Sequence, residues 1–124
     1  MSNPAIAVWN TYRETRRKLT KLLSKHWLGN PNEDDQEEIR DLRFETQALL
    51  KTHLETGRQV DWDECRDNPD IVAFEDVKGD RVVIPRKDYL DCYPLRLRYD
   101  DGAAYCVRVH GGHQFYIKDW DFLS

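Results

Sequence analysis

The sequence predicts an α+β domain, in which an N-terminal antiparallel helical hairpin precedes a five-stranded antiparallel β-meander. Two observations indicate this fold class. Two amphipathic segments are separated only by Gly29-Asn30-Pro31, and three glycine-ended turns divide residues 71–118 into short alternating runs. A chain of 124 residues has the size of one domain. We therefore expect a single domain over 1–124, with helices over 4–28 and 32–56, a linker over 57–70 and the meander over 71–118.

The first helix is predicted from a start signal, an apolar stripe and a stop signal. Pro4 suits the first helical position because no N–H is needed there, and Asn3 precedes it. Gly29-Asn30-Pro31 ends the segment. Large side chains recur at helical spacing between these signals: Val8, Tyr12, Leu19, Leu22 and His26, with Trp9, Leu23 and Trp27 beside them.

The second helix begins with a cap and a run of acids. Asn32 is the predicted N-cap, and acidic side chains near a helix N-terminus interact favourably with the helix dipole. Gly57 ends the helix. An apolar stripe continues at spacings of three and four residues: Ile39, Leu42, Thr46, Leu49 and His53, with Leu50 and Leu54 beside it. Because the link between the helices is short, we expect an antiparallel pair.

The meander is predicted from the register that the three turns impose. Each turn is interpreted as a three-residue loop that ends in a left-handed glycine: Val77-Lys78-Gly79, Asp100-Asp101-Gly102 and His110-Gly111-Gly112. The pairs predicted in this way are Val72–Ile84, Phe74–Val82, Leu95–Val107, Leu97–Tyr105, Tyr99–Ala103, Tyr105–Ile117 and Val107–Phe115. A slip of one residue would destroy this agreement. One conflict remains, because Asp76 would oppose Asp80.

The strands that follow from this register are 71–76, 80–85, 95–99, 103–109 and 113–118, with a linker over 86–94. One face of the sheet is apolar and is expected to pack on the helices: Val72, Phe74, Val82, Ile84, Leu95, Leu97, Tyr99, Tyr105, Val107, Phe115 and Ile117. A curled, SH3-like barrel is the alternative, because five short strands can close.

Charge and cysteine content narrow the function classes. The formal net charge is -4, but residues 1–29 carry +5, residues 30–70 carry -8 and residues 71–124 carry -1. Cys65, Cys92 and Cys106 are odd in number and show no CxxC spacing, which favours free thiols in the cytoplasm. The longest apolar runs are far shorter than a membrane span, and the N-terminus lacks the pattern of a signal peptide.

The acidic run is the first candidate for a functional surface. It consists of Glu33, Asp34, Asp35, Glu37, Glu38 and Asp41, and we expect it to bind a protein partner with a basic surface. In the competing interpretation, these acids pair inside the hairpin with Lys21 and Lys25.

The outer face of the sheet is the alternative surface. The predicted register places Arg96, Arg98, Arg108, Tyr116 and Lys118 there, with Cys106 between Arg96 and Tyr116. Cations beside an aromatic side chain are typical of nucleic-acid binding. The acidic balance of the whole chain argues against this interpretation.

A metal-dependent enzyme is the second alternative. His110 and His113 would face each other across a two-residue turn, and a carboxylate would complete the site. The three-residue loop removes His110 from the strand and weakens this hypothesis. No local motif indicates a nucleophilic cysteine. The sequence also has no glycine-rich phosphate loop and no GxSxG or HExxH motif. We therefore assign no catalytic residue, metal or cofactor.

These observations favour a small non-enzymatic binding protein. A regulator or inhibitor that covers a surface of a larger, nucleic-acid-handling protein fits its size, its acidity and its abundance of Trp and Tyr. Phage-encoded proteins that act against host or defence machinery have this character. A helical hairpin with a partly exposed stripe also makes a homodimer one expectation.

Overall fold

The computed structural model describes residues 3–96, 103–111 and 113–118. These form an α+β structure, as predicted, with three helices and two small antiparallel sheets. The helices are α1 (Pro4–Lys25), α2 (Glu33–Gly57) and α3 (Trp62–Asp67). The strands are β1 (Ile71–Glu75), β2 (Arg81–Pro85), β3 (Tyr89–Arg96), β4 (Ala103–Val109) and β5 (Phe115–Ile117), and a 3₁₀ turn (Arg86–Asp88) joins β2 to β3.

The two long helices lie antiparallel, with caps at the predicted residues. The side chain of Asn3 accepts from the N–H of Ala5 at 2.9 Å, and that of Asn32 accepts from the N–H of Asp35 at 2.8 Å. The start of α1 contacts the end of α2, where the rings of Trp9 and His53 are 5.0 Å apart. α1 ends three residues earlier than predicted, at Lys25.

The segment over 57–70 is not only a linker, because it contains α3. Asp61 caps this helix by accepting from the N–H of Glu64 at 3.1 Å. Cys65 and Trp62 contact the small apolar cluster that includes Ala5, Ala73 and Val83. Helix α3 is a single short acidic segment with one large apolar residue, so hydrophobic periodicity could not reveal it.

The first hairpin is confirmed in register. Val72 pairs with Ile84 and Phe74 with Val82, and Gly79 has the left-handed φ of +89°. The predicted conflict between Asp76 and Asp80 does not arise. The Asp76 carboxylate accepts from the N–H groups of Lys78 and Asp80 at 2.9 Å each, and the Asp80 carboxylate bonds to Arg58.

The last hairpin is also confirmed, with Tyr105 opposite Ile117 and Val107 opposite Phe115. The left-handed residue that the structure describes in its turn is Gly111, at φ +64°. The prediction had placed this conformation at Gly112, which lies outside the described residues.

The predicted register between β3 and β4 is wrong. β3 begins at Tyr89, within the predicted linker, and its Leu95 lies opposite Ala104 and not opposite Val107. Pro94, the last residue of the predicted linker, lies inside β3, where an edge strand tolerates its missing N–H. Tyr105 pairs with Pro94 and not with Leu97. Residues 97–102, which include Leu97, Tyr99 and the predicted Asp100-Asp101-Gly102 turn, lie outside the described part of the chain.

The strands form two sheets, β1-β2 and β3-β4-β5, and not the single five-stranded meander of the prediction. The 3₁₀ turn over Arg86–Asp88 separates β2 from β3, and the described strands do not close an SH3-like barrel. A backbone hydrogen bond connects the β1–β2 turn to β5, because the N–H of Val77 donates to the carbonyl of Tyr116 at 2.7 Å.

The main core lies between the helices and both sheets. It contains most of the predicted inner face, namely Val72, Phe74, Val82, Ile84, Val107, Phe115 and Ile117, with Tyr105 partly buried, and adds Trp9, Tyr12 and Val109. His53 is buried beside Trp9. Its Nε2 donates to the carbonyl oxygen of Val83 at 2.7 Å. Its Nδ1 is also buried, and it has no hydrogen-bond partner in the described structure.

Asp88 is a buried carboxylate at the junction of the two sheets, with only 2% of its surface exposed. It accepts from Nε1 of Trp9 at 2.9 Å and from Nη1 of Arg13 at 2.6 Å. Its backbone carbonyl accepts from the N–H of His110 at 2.7 Å. Three parts of the fold therefore meet at this residue: α1, the connection between the sheets, and the turn between β4 and β5.

We expect the Asp88→Asn substitution to destabilise the protein by about 3 kcal/mol or more, because it leaves the partly buried Arg13 guanidinium without a counter-charge. Urea denaturation would measure the change. Asp91→Asn is the matched control, since Asp91 forms an exposed pair with Arg108 and should matter far less. Equal effects of the two substitutions would contradict the central role of Asp88.

We expect the unfolding free energy to fall as the pH drops below about 6.5, because burial lowers the pKa of His53 in the folded state. The unfolded state then binds the additional proton, at a cost of up to about 1.4 kcal/mol per pH unit. In His53→Gln, which keeps a donor for Val83, this slope should decrease. His110→Gln, at an exposed position, should keep the wild-type slope. Identical slopes in all three proteins would refute this account.

Candidate functional site

The acidic run at the start of α2 divides into one internal and five external side chains. Asp35 is partly buried, and its Oδ2 lies 2.5 Å from Nε2 of His26 and 3.4 Å from Nζ of Lys25. The hydrogen bond to His26 is the main cause of a lowered pKa for Asp35. Asp35 is thus the acid of this run that forms the predicted pair with Lys25. The exposed members are Glu33, Asp34, Glu37, Glu38 and Asp41.

Phe44 belongs to the same helix surface as two of these acids. Glu37, Asp41 and Phe44 are separated by four and three residues, which places them on one face of α2. That face is opposite the stripe of Ile39 and Thr46, which packs towards α1. Phe44 is therefore 76% exposed. This face of α2 thus exposes a large aromatic side chain next to two acids.

The connection between the helices exposes two more large apolar side chains. Trp27 and Leu28 are 78% and 82% exposed. The prediction had included Trp27 beside the α1 stripe, but α1 ends at Lys25 and Trp27 leaves that stripe. Because Lys25 and His26 contact Asp35, these residues lie at the same end of the hairpin as the acids. The hairpin surface defined by Trp27, Leu28, Phe44 and the five exposed acids is our candidate site.

Sequence reasoning missed the apolar members of the hairpin surface, because large apolar residues are normally assigned to a core. One signal was available for Phe44. Its position is half a helical turn away from the middle of the stripe that contains Ile39, Leu42 and Thr46. For Trp27, the missing signal was the end of α1, which sequence places only within a few residues.

The basic face of the second sheet differs from its prediction. Arg108 donates from both Nε and Nη2 to the carboxylate of Asp91, at 2.8 Å each, so its charge is neutralised within the sheet. Arg96 lies opposite Ala103 and not beside Cys106. Tyr116 is partly buried and Lys118 is exposed. Arg98 lies outside the described residues. The changed register places Tyr93 and Leu95 where the prediction had Arg96 and Arg98.

The two histidines of the last turn are not brought together as metal ligands. His110 is exposed in the turn, and the ring of His113 packs on the edge of Phe115 with centroids 5.3 Å apart. In the described residues, no three His, Cys, Asp or Glu side chains are placed to hold a metal ion. The acids Asp119 and Asp121 lie outside that part of the chain.

The three cysteines are free thiols in unreactive surroundings. Cys65 is buried, and burial is the main cause of its raised pKa. Burial also raises the pKa of Cys92 to about 11. Cys106, predicted on an exposed face, is only 1% exposed between Tyr93 and Tyr116. The raised pKa values of Cys65 and Cys92 are the opposite of what an activated nucleophile needs.

Comparison with protein-family models, with curated proteins and with solved structures found no match to this chain. The helices of the described residues are too short or too polar to cross a membrane.

We expect the folded protein to react at least about tenfold more slowly than the unfolded protein with a thiol reagent such as DTNB near pH 8, because packing covers the thiols and restricts access of the reagent. The absorbance change with and without guanidinium chloride would measure both rates. A Cys92→Ser variant assigns the contribution of the least buried thiol. A fast-reacting thiol in the folded state would contradict this description and reopen nucleophilic catalysis.

Proposed function

We propose that this chain is a small non-enzymatic binding protein, a regulator or inhibitor that covers a surface of a larger protein. The observation that carries the proposal is the exposure of Phe44 next to Glu37 and Asp41 on the outward face of α2. Aromatic side chains are the usual anchors of protein interfaces, and charged residues form their rim.

The charges of the hairpin surface determine the kind of partner. Five exposed acids favour a partner with a basic surface, such as a protein that itself handles nucleic acid. In that role the acids would occupy positions otherwise taken by phosphates. Small phage-encoded proteins that block host or defence machinery have this size and acidity, and we place the chain among them on this general character alone. Three free thiols favour the cytoplasm as its compartment.

Two other functions have less support. Nucleic-acid binding by the outer face of the sheet loses one of its cations, because Asp91 holds Arg108. A metal-dependent enzyme lacks a ligand cluster in the described residues. A homodimer formed through Trp27, Leu28 and Phe44 is a further option. Sedimentation equilibrium distinguishes it from binding to a different protein.

The test compares two triple charge reversals in an affinity purification from the native host, with a nuclease-treated sample in parallel. Glu37→Lys, Glu38→Lys and Asp41→Lys alter the hairpin surface and leave the structural Asp35 intact. Asp63→Lys, Glu64→Lys and Asp67→Lys make the same change of charge at exposed positions of α3. We expect the first set to reduce recovery of the partner by about tenfold or more, because it reverses the complementary charge, and the second set to leave it unchanged.

Phe44→Ser tests the aromatic anchor, with Leu90→Ser as the control at another exposed apolar position. Circular dichroism verifies that each variant is folded, and sedimentation equilibrium reports self-association. Undiminished recovery with the hairpin variants would refute the proposed interface. Loss of the partner on nuclease treatment would favour nucleic acid, and a dimer abolished by Phe44→Ser would replace the partner with a second copy of the chain.

A further inference from the structure

A basic cleft lies between α1 and the turn that joins β4 to β5. Its volume is about 440 Å³, and four cationic residues line it, Arg13, Arg16, Arg17 and Lys21, together with Thr20, His110 and Gly111. No carboxylate is among these lining residues. The cleft is separate from the hairpin surface, because neither the acids of α2 nor Phe44 line it.

The helical repeat explains how one segment supplies so many cations to one cleft. Residues 13, 16, 17, 20 and 21 fall on one side of α1 and extend over about two turns, or roughly 12 Å. Glu14 is the only acid within Pro4–Lys25, and it does not line the cleft. The sequence shows these cations as part of the basic first segment, but it cannot show that the β4–β5 turn encloses them.

Arg13 is held in place at the base of the cleft. Asp88 accepts from its Nη1 at 2.6 Å, and its Nε is buried without a hydrogen-bond partner in the described residues. Gly111 packs directly against this guanidinium. A Cβ at residue 111 would lie 3.3 Å from Nε, and φ is +64° there, so both space and backbone conformation favour glycine.

Arg16 is held as well, since its Nη1 donates to the hydroxyl of the buried Tyr12 at 2.9 Å. A ligand that binds these two guanidinium groups would therefore lose little side-chain entropy on binding. Arg17 and Lys21 are exposed at the edge of the cleft and are free to close on a ligand.

The cleft keeps a positive charge that the described structure does not neutralise. Asp88 balances Arg13, but Arg16, Arg17 and Lys21 form no ion pair with an acid of the described residues, and like charges four residues apart on a helix are unfavourable. The field reaches His113, two residues before β5, where desolvation and the charges of Arg16 and Lys78 lower the pKa of the imidazole. Such a concentration of charge is expected where an anion binds.

We propose that this cleft binds the phosphate groups of a ligand that carries at least two of them. Guanidinium groups match phosphate oxygens in pairs, Thr20 adds a hydroxyl donor, and the length of the basic row suits adjacent phosphates better than a single one. The lining contains no aromatic ring other than the imidazole of His110, so recognition is directed at phosphate and not at a base. A free nucleotide and a nucleic-acid strand share this chemistry, and the experiment distinguishes them.

The experiment measures binding to the intact chain at low ionic strength. Isothermal titration calorimetry uses pyrophosphate, ATP and sulfate, and fluorescence anisotropy uses a labelled single-stranded oligonucleotide. We expect saturable binding that weakens with salt, and a loss of about tenfold or more in affinity in Arg17→Glu/Lys21→Glu. Lys51→Glu/Lys87→Glu is the matched control, with the same change of charge at exposed positions outside the cleft, and it should retain the affinity.

The outcomes separate the ligand sources and the two proposals. Binding of pyrophosphate and ATP indicates a free ligand, and binding of the oligonucleotide alone indicates a strand; both support the cleft. In the wild-type protein, the amide signals of Thr20, Lys21 and Gly111 should shift on addition of the ligand that binds, which does not depend on the folding of any variant. Absence of binding, sulfate binding as tight as that of pyrophosphate, or equal losses in both double variants would overturn the proposal. Phe44→Ser should leave phosphate binding intact, because Phe44 does not line the cleft. A cleft that binds no phosphate would therefore leave the proposed protein interface untouched.

Discussion

The carboxylate of Asp88 fixes how the parts of this protein are placed relative to one another. A buried carboxylate is stable only when donors surround it, and here the donors come from one face of α1, where Trp9 and Arg13 are four residues apart. This pair sets both the rotation and the longitudinal position of α1 against the sheets. The same residue receives the N–H of His110, so the β4–β5 turn is positioned as well. The core around Trp9 and the cleft around Arg13 both depend on this arrangement.

The charges of the two long helices are largely kept apart. In the described structure, Lys25 and Asp35 form the ion pair between α1 and α2, and His26 lies beside them. The other acids of the run at the start of α2 are exposed, and four cations of α1, namely Arg13, Arg16, Arg17 and Lys21, line the cleft beside the β4–β5 turn. Sequence alone suggested that pairing within the hairpin would neutralise much of this charge. Antiparallel packing prevents it, because the apolar stripes occupy the faces that meet. In the described structure, the exposed acids of α2 and the cleft-lining cations of α1 therefore lie on different surfaces.

Local rules predicted those parts of the fold that local interactions determine. The caps at Asn3 and Asn32 and the registers of the first and last hairpins depend on neighbours in sequence, and they were predicted correctly. The β3–β4 register depends on whether the strand that contains Pro94 lies at the centre or at the edge of the sheet, which the sequence does not reveal. A proline would interrupt a central strand, but it is tolerated in an edge strand such as β3. The acids of the candidate site could be read directly. The exposure of Phe44 and Trp27 could not, because it follows from where α1 ends and which face α2 buries.

The position of Pro94 also limits how the protein can associate. The exposed edge of β3 carries a residue without an N–H and a register irregularity between Tyr89 and Asp91, and both interrupt the row of donors that an added strand would need. At the opposite edge of that sheet, the carbonyl of Tyr116 is already occupied by the N–H of Val77. Both edges of the three-stranded sheet, in the described residues, thus carry an interruption of the hydrogen-bonding pattern that an added strand would use. These interruptions disfavour edge-to-edge aggregation there and favour self-association through side-chain surfaces, which mutation can modify without disturbing the backbone.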